Sequence, residues 1–410
     1  MVATGAAIHL YDSRADSSEP TGDSLGELAV PDLSWTVNTS SRYSSMLRKI
    51  PDIFAWEESA EHFKNLQVLA RSVALRRFRS CLDHIGRYDL DLSKSMRTTF
   101  EELPLSAKLR FLTAPETFYC ITLLRKEPVE SICFLCNALN GEAALHGRGP
   151  MKEGYATALG DFYCSETAGD STSLQVFRAP LLADTVIIDF DSPNVARAQN
   201  MDAQKDNVQL YSPEEKALVC EKLNTTFARI KSVSEATALL IKEHVKVVIP
   251  FKTAMSQHGS TSQPSVPGRV LLRGADQMNS AMIASALVHE SMHQVLYILE
   301  WAGIFIIEDP DARVARAKSL WTGRDLALHS FIHACFIWYG LSTFFSLAQS
   351  FDVFEPRHIQ RELERSLAGF RGQNPVDLLA PHAGMLRYDV LKVARTLRDR
   401  LQYILDQTAA

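Results

Sequence analysis

Apolar residues along this chain recur mostly at intervals of three and four, the spacing that gives a helix one buried face. That spacing predicts a helix from about Trp56 to Leu82 and shorter ones between Leu103 and Arg125, where Pro104 and Pro115 act as breaks. Ser212-Pro-Glu-Glu215 has the form of a capping box with proline in the first turn, so a helix runs from there to about Ile230, and a second covers Val233 to Val245. Helices are also expected at roughly Pro356 to Phe370 and His382 to Asp406, the latter turning Leu386, Val390, Val393, Leu397 and Leu401 inward. Short β-branched runs read as strands: Thr185-Val-Ile-Ile-Asp-Phe190, Lys246-Val-Val-Ile-Pro-Phe251 and Val270-Leu-Leu-Arg273. The Gly-rich stretch 140–172 reads as irregular, and Asp189 and Asp191 as the turn that ends a strand. The expected fold is mainly α with a small antiparallel β-sheet, an α+β arrangement.

Two apolar runs are not amphipathic. Between Ser280 and Trp301 the charged residues are Glu290 and Glu300 alone, so this helix should cross the core rather than lie on its surface. Phe331 to Leu347 is barely long enough to span a membrane, contains His333 and is flanked by polar turns, which favours a second core helix, started by Asp325 and continuing to about Gln349.

Composition narrows the function. With 410 residues, 46% hydrophobic and 22% charged, the chain suits a soluble globular protein of one large or two smaller domains. Residues 1–35 read as a disordered acidic tail, 36–200 as a mainly helical N-terminal region with a possible role in peptide recognition, and 201–410 as a catalytic domain, joined through the polar stretch 198–207. A net charge of -5 with mixed signs offers no basic stripe, so nucleic acid is not an expected partner, and no membrane is expected either. No signal peptide is visible, and the seven cysteines are scattered, odd in number and mostly in apolar settings, which points to free thiols in a reducing cytoplasm. Cys133-Phe-Leu-Cys136 is a lone pair of thiols, expected on a helix and buried rather than holding zinc.

The chemistry concentrates in the first apolar helix, as His289-Glu290-Ser-Met-His293. Four-residue spacing stacks both imidazoles on one face, about one turn apart, where they can share a divalent ion, with Glu290 beside them. A carboxylate buried in an uncharged helix also needs a partner, and a metal or its water is one. Two histidines are too few, so a third ligand must come from His329, His333, Glu300 or Glu308. Glu300 is ten residues past Glu290, about 80° around and some 15 Å along the axis, so it cannot share the ion. His329 and His333 repeat the four-residue spacing on the second core helix; His329, near its start, is the expected ligand, with His333 behind it or in the core. The metal site would then lie between two core helices. Two chemistries fit: a zinc metallopeptidase with Glu290 as general base, or an Fe(II) oxygenase using a 2-oxo acid.

The chain also resembles a known family, the HExxH-type peptide β-hydroxylases, which depend on iron and 2-oxoglutarate and are encoded beside ribosomally made peptide natural products. The likeness rests on Val247-Val-Ile, Val266-Pro-Gly-Arg-Val-Leu-Leu272, Ala286-Leu-Val-His-Glu-Ser-Met-His-Gln-Val-Leu296, Trp321-Thr-Gly-Arg-Asp-Leu-Ala-Leu-His329 and Leu379-Ala-Pro-His-Ala-Gly384; before residue 200 only Phe111-Leu-Thr-Ala-Pro-Glu116 bears it. It implies His289, His293 and His329 as ligands of Fe(II), Glu290 as a site residue, 2-oxoglutarate as co-substrate, and hydroxylation of a side chain, at its β-carbon, in a precursor peptide. A 2-oxo acid needs a cation for its distal carboxylate; Arg324 is the first candidate and Arg273 the second. The zinc peptidase is the alternative, and a peptide-binding relative without catalysis the third possibility.

Overall fold

The β-branched runs form the centre of the molecule. In the computed structural model, which describes residues 47–56, 60–168, 171–201, 208–253, 258–302, 312 and 314–409, strands β3 (Leu181–Leu182), β4 (Val186–Ile188), β5 (Val208–Gln209), β6 (Val247–Thr253), β7 (Gly259–Thr261) and β8 (Arg269–Arg273) make one six-stranded sheet. Its order is β3-β4-β6-β8-β7, with β5 on the far end of β6. Antiparallel pairing, as expected, holds at the edges, for β3–β4, β5–β6 and β7–β8. The centre departs from it: β4, β6 and β8 are parallel, because β8 is inserted between β6 and the returning β7. Two hairpins stand apart, β1 (Phe162–Ala168) with β2 (Ser171–Phe177) and β9 (Arg316–Lys318) with β10 (Asp325–Ala327). The first lies at the end of the stretch read as irregular.

Period-two alternation sends neighbouring strand residues to opposite faces, and each face has its own core. Val186, Ile188, Val248, Val270 and Leu272 join one cluster. Ile187, Val247, Ile249, Phe251 and Leu271 join the other. Helices cover both faces. On the second face lie α3 (Leu90–Glu102), α4 (Leu105–Thr113), α5 (Pro115–Leu123), α6 (Pro128–Leu145) and the latter half of α2 (Ala60–Gly86), whose Leu66, Leu69 and Val73 join the first core; Pro104 and Pro115 separate the middle ones as anticipated. On the first face lie α8 (Pro213–Val233), α9 (Glu235–His244), α10 (Ser280–Trp301), α11 (Leu328–Ala348), α12 (Pro356–Gly372) and α14 (Tyr388–Ala409). The short helices 47–53, α7 (Pro193–Met201) and α13 (Pro375–Leu379) complete the numbering, the first as α1. Ser212 does start α8 through a capping box: its hydroxyl accepts from Glu215 N at 3.3 Å and its own N–H donates to the Glu215 carboxylate at 2.8 Å.

The described residues from Leu47 onward form one compact unit, and strands from either side of the boundary expected near residue 200 share its sheet. The expected linker begins as the end of α7, and its remainder, like the acidic tail, lies outside the described residues. Asp325 does not start a helix. It opens β10, opposite Lys318, and α11 begins three residues later.

The second apolar run, α11, is long and apolar enough to cross a membrane by length and composition, yet 72% of that window is buried inside the fold. It touches α10 where Gly340 replaces a side chain: a Cβ there would stand 2.3 Å from the Met292 sulfur. That close approach sets how near the histidines on the two helices come.

Candidate functional site

Helix α10 is capped by Asn279, whose side chain accepts from Met282 N at 2.9 Å. Positions 289, 293 and 297 then follow one another up a single face. The His289 and His293 rings are 4.9 Å apart, and Tyr297 stacks on His293 at 5.4 Å. Helix α11 brings a third imidazole to this row, that of His333: its Nδ1 lies 3.1 Å from His293 Nδ1. On its other side His333 Nε2 is 3.3 Å from Glu300 Oε1.

Burial governs the protonation of this row. It lowers the pKa of His289, reinforced by Arg365 and opposed by Glu290. It lowers that of His293 further, with His289 and His333 adding to the effect. Both are therefore neutral imidazoles with a lone pair to offer. Burial works the other way on Glu300, yet His333 and His329 hold its carboxyl below the ordinary range. A carboxylate on one ring nitrogen fixes the tautomer and leaves the other nitrogen as a donor atom, the usual support of a metal-binding histidine.

Glu290 is buried and does not face the imidazoles alone. Ser260 and Ser262, in and just after β7, donate to its two oxygens at 2.7 and 2.6 Å. Ser262 also receives the Tyr297 hydroxyl at its carbonyl, 3.3 Å away. The carboxylate therefore ties the edge strand to the motif helix.

Beside His289 opens a cavity of about 270 Å³, with Gly259, Ser260, Met282, Trp338 and Arg365 in its wall. Trp338 meets His289 edge-on at 5.8 Å and stacks on Trp321 at 5.8 Å. Trp321 in turn lies where Gly369 has no side chain, and its Nε1 donates to Ser366 O at 2.9 Å. The Arg365 guanidinium sits 5.4 Å from the Trp338 ring and 3.7 Å from Glu362, at the mouth of the cavity.

The structure thus joins His289, His293 and Glu290 to His333 rather than to His329. The His329 ring is half-buried, 6.5 Å from that of His333, with Nε2 at 3.1 Å from Ser330 Oγ. Arg324 is exposed in the turn before β10 and lies outside the cavity wall. Arg273, half-buried on β8, stands opposite Gly259, next to the cavity but not in its wall. Glu308 lies outside the described residues. Glu300 joins the site after all: measured from Glu290 along one helix it is remote, but His333 on the second helix bridges the gap. Tyr297 was findable as the next step of the 289, 293 spacing. Arg365, Ser260 and Ser262 carry no comparable signal, since only tertiary packing brings them in.

Among the described residues, no three His, Cys, Asp or Glu side chains are gathered closely enough to enclose an ion. The thiol pair does not supply such a group: on α6, Cys133 is exposed and Cys136 half-buried, so only part of the expected burial holds. Asp189 is buried in the expected strand-end turn, accepting from Ser192 N at 3.0 Å, while Asp191 pairs with Lys216 at 2.6 Å. No protein-family model matches the chain, and no curated protein matches it.

Proposed function

We propose that this protein is an Fe(II)- and 2-oxoglutarate-dependent hydroxylase of a peptide side chain, with the metal held at His293 and His333. The observation that carries the metal is the nitrogen pair. Two imidazoles on one divalent ion, each bonded at about 2.1 Å, stand roughly 3.0–3.4 Å apart for octahedral or tetrahedral angles. The Nδ1 atoms of His293 and His333 are 3.1 Å apart. Their donor chemistry fits as well, since burial keeps His293 neutral and Glu300 lies against the remote nitrogen of His333. His289, one turn before His293, would supply the third contact by a side-chain rotation.

When bound, iron with a 2-oxo acid and dioxygen supplies the oxidising power to hydroxylate an unactivated carbon. The chain's own residues do the rest. Arg365 offers the distal carboxylate a guanidinium at the mouth of the cavity, in place of Arg324 or Arg273. Trp338 walls the cavity beside His289 and excludes water from it. Strand β7 is the edge of the sheet, with no further strand paired to it among the described residues, and a peptide can lie extended along that side.

Glu290 favours this reading over the zinc peptidase. A general base must be free to take a proton from water, and both oxygens of Glu290 are committed to serine hydroxyls. Its role here is to position β7 over the helix.

Protein purified anaerobically should bind iron and, once dioxygen is admitted, turn 2-oxoglutarate into succinate and carbon dioxide, with a peptide gaining the mass of one oxygen atom. Peptide cleavage with zinc would establish the peptidase instead, and tight peptide binding without any metal a non-catalytic protein.

A further inference from the structure

A second cavity, of about 280 Å³, lies between the N-terminal helices and the start of β6, with Arg71, Leu109, Phe118, Lys246, Gly268 and Ile298 in its wall. It is on the far side of α10 from the histidines: Ile298 is nine positions beyond His289, about half a turn around the helix. Nothing in the proposed hydroxylation uses it.

Its walls are apolar below and charged above, where Arg71, Lys246 and Arg110 outnumber the one carboxylate, Glu243. Phe118 and Gly268 are buried, whereas Arg71 is exposed and Lys246 half-buried. Lys246 Nζ donates to the backbone carbonyl of Glu243 at 2.7 Å, and Arg71 Nη2 to the Gln67 amide at 3.3 Å. Neither makes an ion pair with a carboxylate among the described residues. Arg110, a third cation in the wall, is different, because Glu142 and Asp161 already neutralise it. Burial lowers the pKa of Lys246, and Arg71 lowers it further against the opposing Glu243, so the two cations raise one another's energy. His244 is buried in the same wall and kept neutral, its pKa pushed down to about 3 by burial and by Lys246, and its Nε2 has no hydrogen-bond partner.

We propose that this cavity binds a carboxylate carried on an apolar body about one amino-acid residue in size, as on an acidic or C-terminal residue of a peptide. The carboxylate would lie between Arg71 and Lys246, and the apolar part against Phe118, Leu109 and Ile298. The volume admits one side chain and little more, and a charge-assisted contact to two cations selects the acid over its amide. The site is independent of the metal reading.

Calorimetric titration of the full chain with N-acetyl-L-phenylalanine and with its amide tests this. The acid should bind about ten-fold tighter or better. Arg71→Met and Lys246→Met should each remove most of that preference, while His293→Ala keeps it. Thermal melting shows whether Lys246→Met folds; Arg71 is exposed, so Arg71→Met carries the test if it does not. Equal binding of acid and amide, no binding of either, a preference that survives both substitutions, or one lost in His293→Ala would each overturn the proposal.

Discussion

Two buried polar clusters in this protein are satisfied in opposite ways. Around α6, Arg110 reaches Glu142 at 3.4 Å and also Asp161, while the Thr157 hydroxyl donates to Asp161 at 3.2 Å. Every strong charge there faces its opposite, which is what a fold needs in order to bury charge at all. Around α10 imidazole faces imidazole, and a carboxylate, that of Glu300, meets the row on the far side of His333. His293 and His333 point nitrogen to nitrogen, with His289 one turn away, and burial suppresses the protonation of His289 and His293. Such a row contributes little to its own stability, because the 3.1 Å nitrogen-to-nitrogen contact of His293 and His333 can carry at most one hydrogen bond. The α6 cluster is an internal fastening; the α10 cluster is the one we propose as the seat of a cation.

The sharpest way to break this contrast is at His293. His293→Ala should lower iron affinity by more than about 100-fold, read as bound metal after dialysis, with a melting temperature near that of the parent. A large loss of stability with metal retained would make the row structural. Next is Arg110→Ala, which strands Glu142 and Asp161: it should cost about 3–5 kcal/mol in denaturant unfolding while leaving metal bound per folded molecule unchanged. Arg365→Ala should raise the KM for 2-oxoglutarate about 10–100-fold, the value of one charge-assisted contact, whereas exposed Arg324→Ala should change it less than about two-fold. Equal effects at the two arginines would remove Arg365 from the site.

The smallest effect is a pH dependence. Burial raises the Glu142 carboxyl to about 7 despite Arg110, so the folded state holds this proton more tightly than the unfolded chain. Stability should therefore fall as pH rises from near 4.5, its ordinary value, towards 7. Glu142→Gln should flatten the melting temperature across that window; an unchanged slope would show that other groups set it.

Much of the architecture was legible because it rests on local signals. Proline breaks at Pro104 and Pro115, the Ser212 capping box and the β-branched runs of β4, β6 and β8 each act within a few residues, and they are where the sequence places them. Parallel pairing was not legible, since β6 and β8 meet only because β7 returns on the far side. The turn before α11 misled for the same reason: Asp325 can cap a helix, but pairing with Lys318 takes precedence. In the site, the spacing that put His289 and His293 together is local, and so is that of Tyr297. The choice between His329 and His333 is not. They are one turn apart on α11, and which one faces α10 depends on the rotation fixed where Gly340 meets Met292. Arg365, on a helix read correctly from its amphipathic pattern, reached the cavity only through packing on Trp338.

In the proposed metal centre His333, and not His329, completes the pair with His293. The most direct test is the iron stoichiometry of His333→Ala and His329→Ala, loaded anaerobically side by side with the parent protein. The account predicts that His333→Ala loses its iron while His329→Ala keeps most of it; iron retained by His333→Ala and lost from His329→Ala would contradict it.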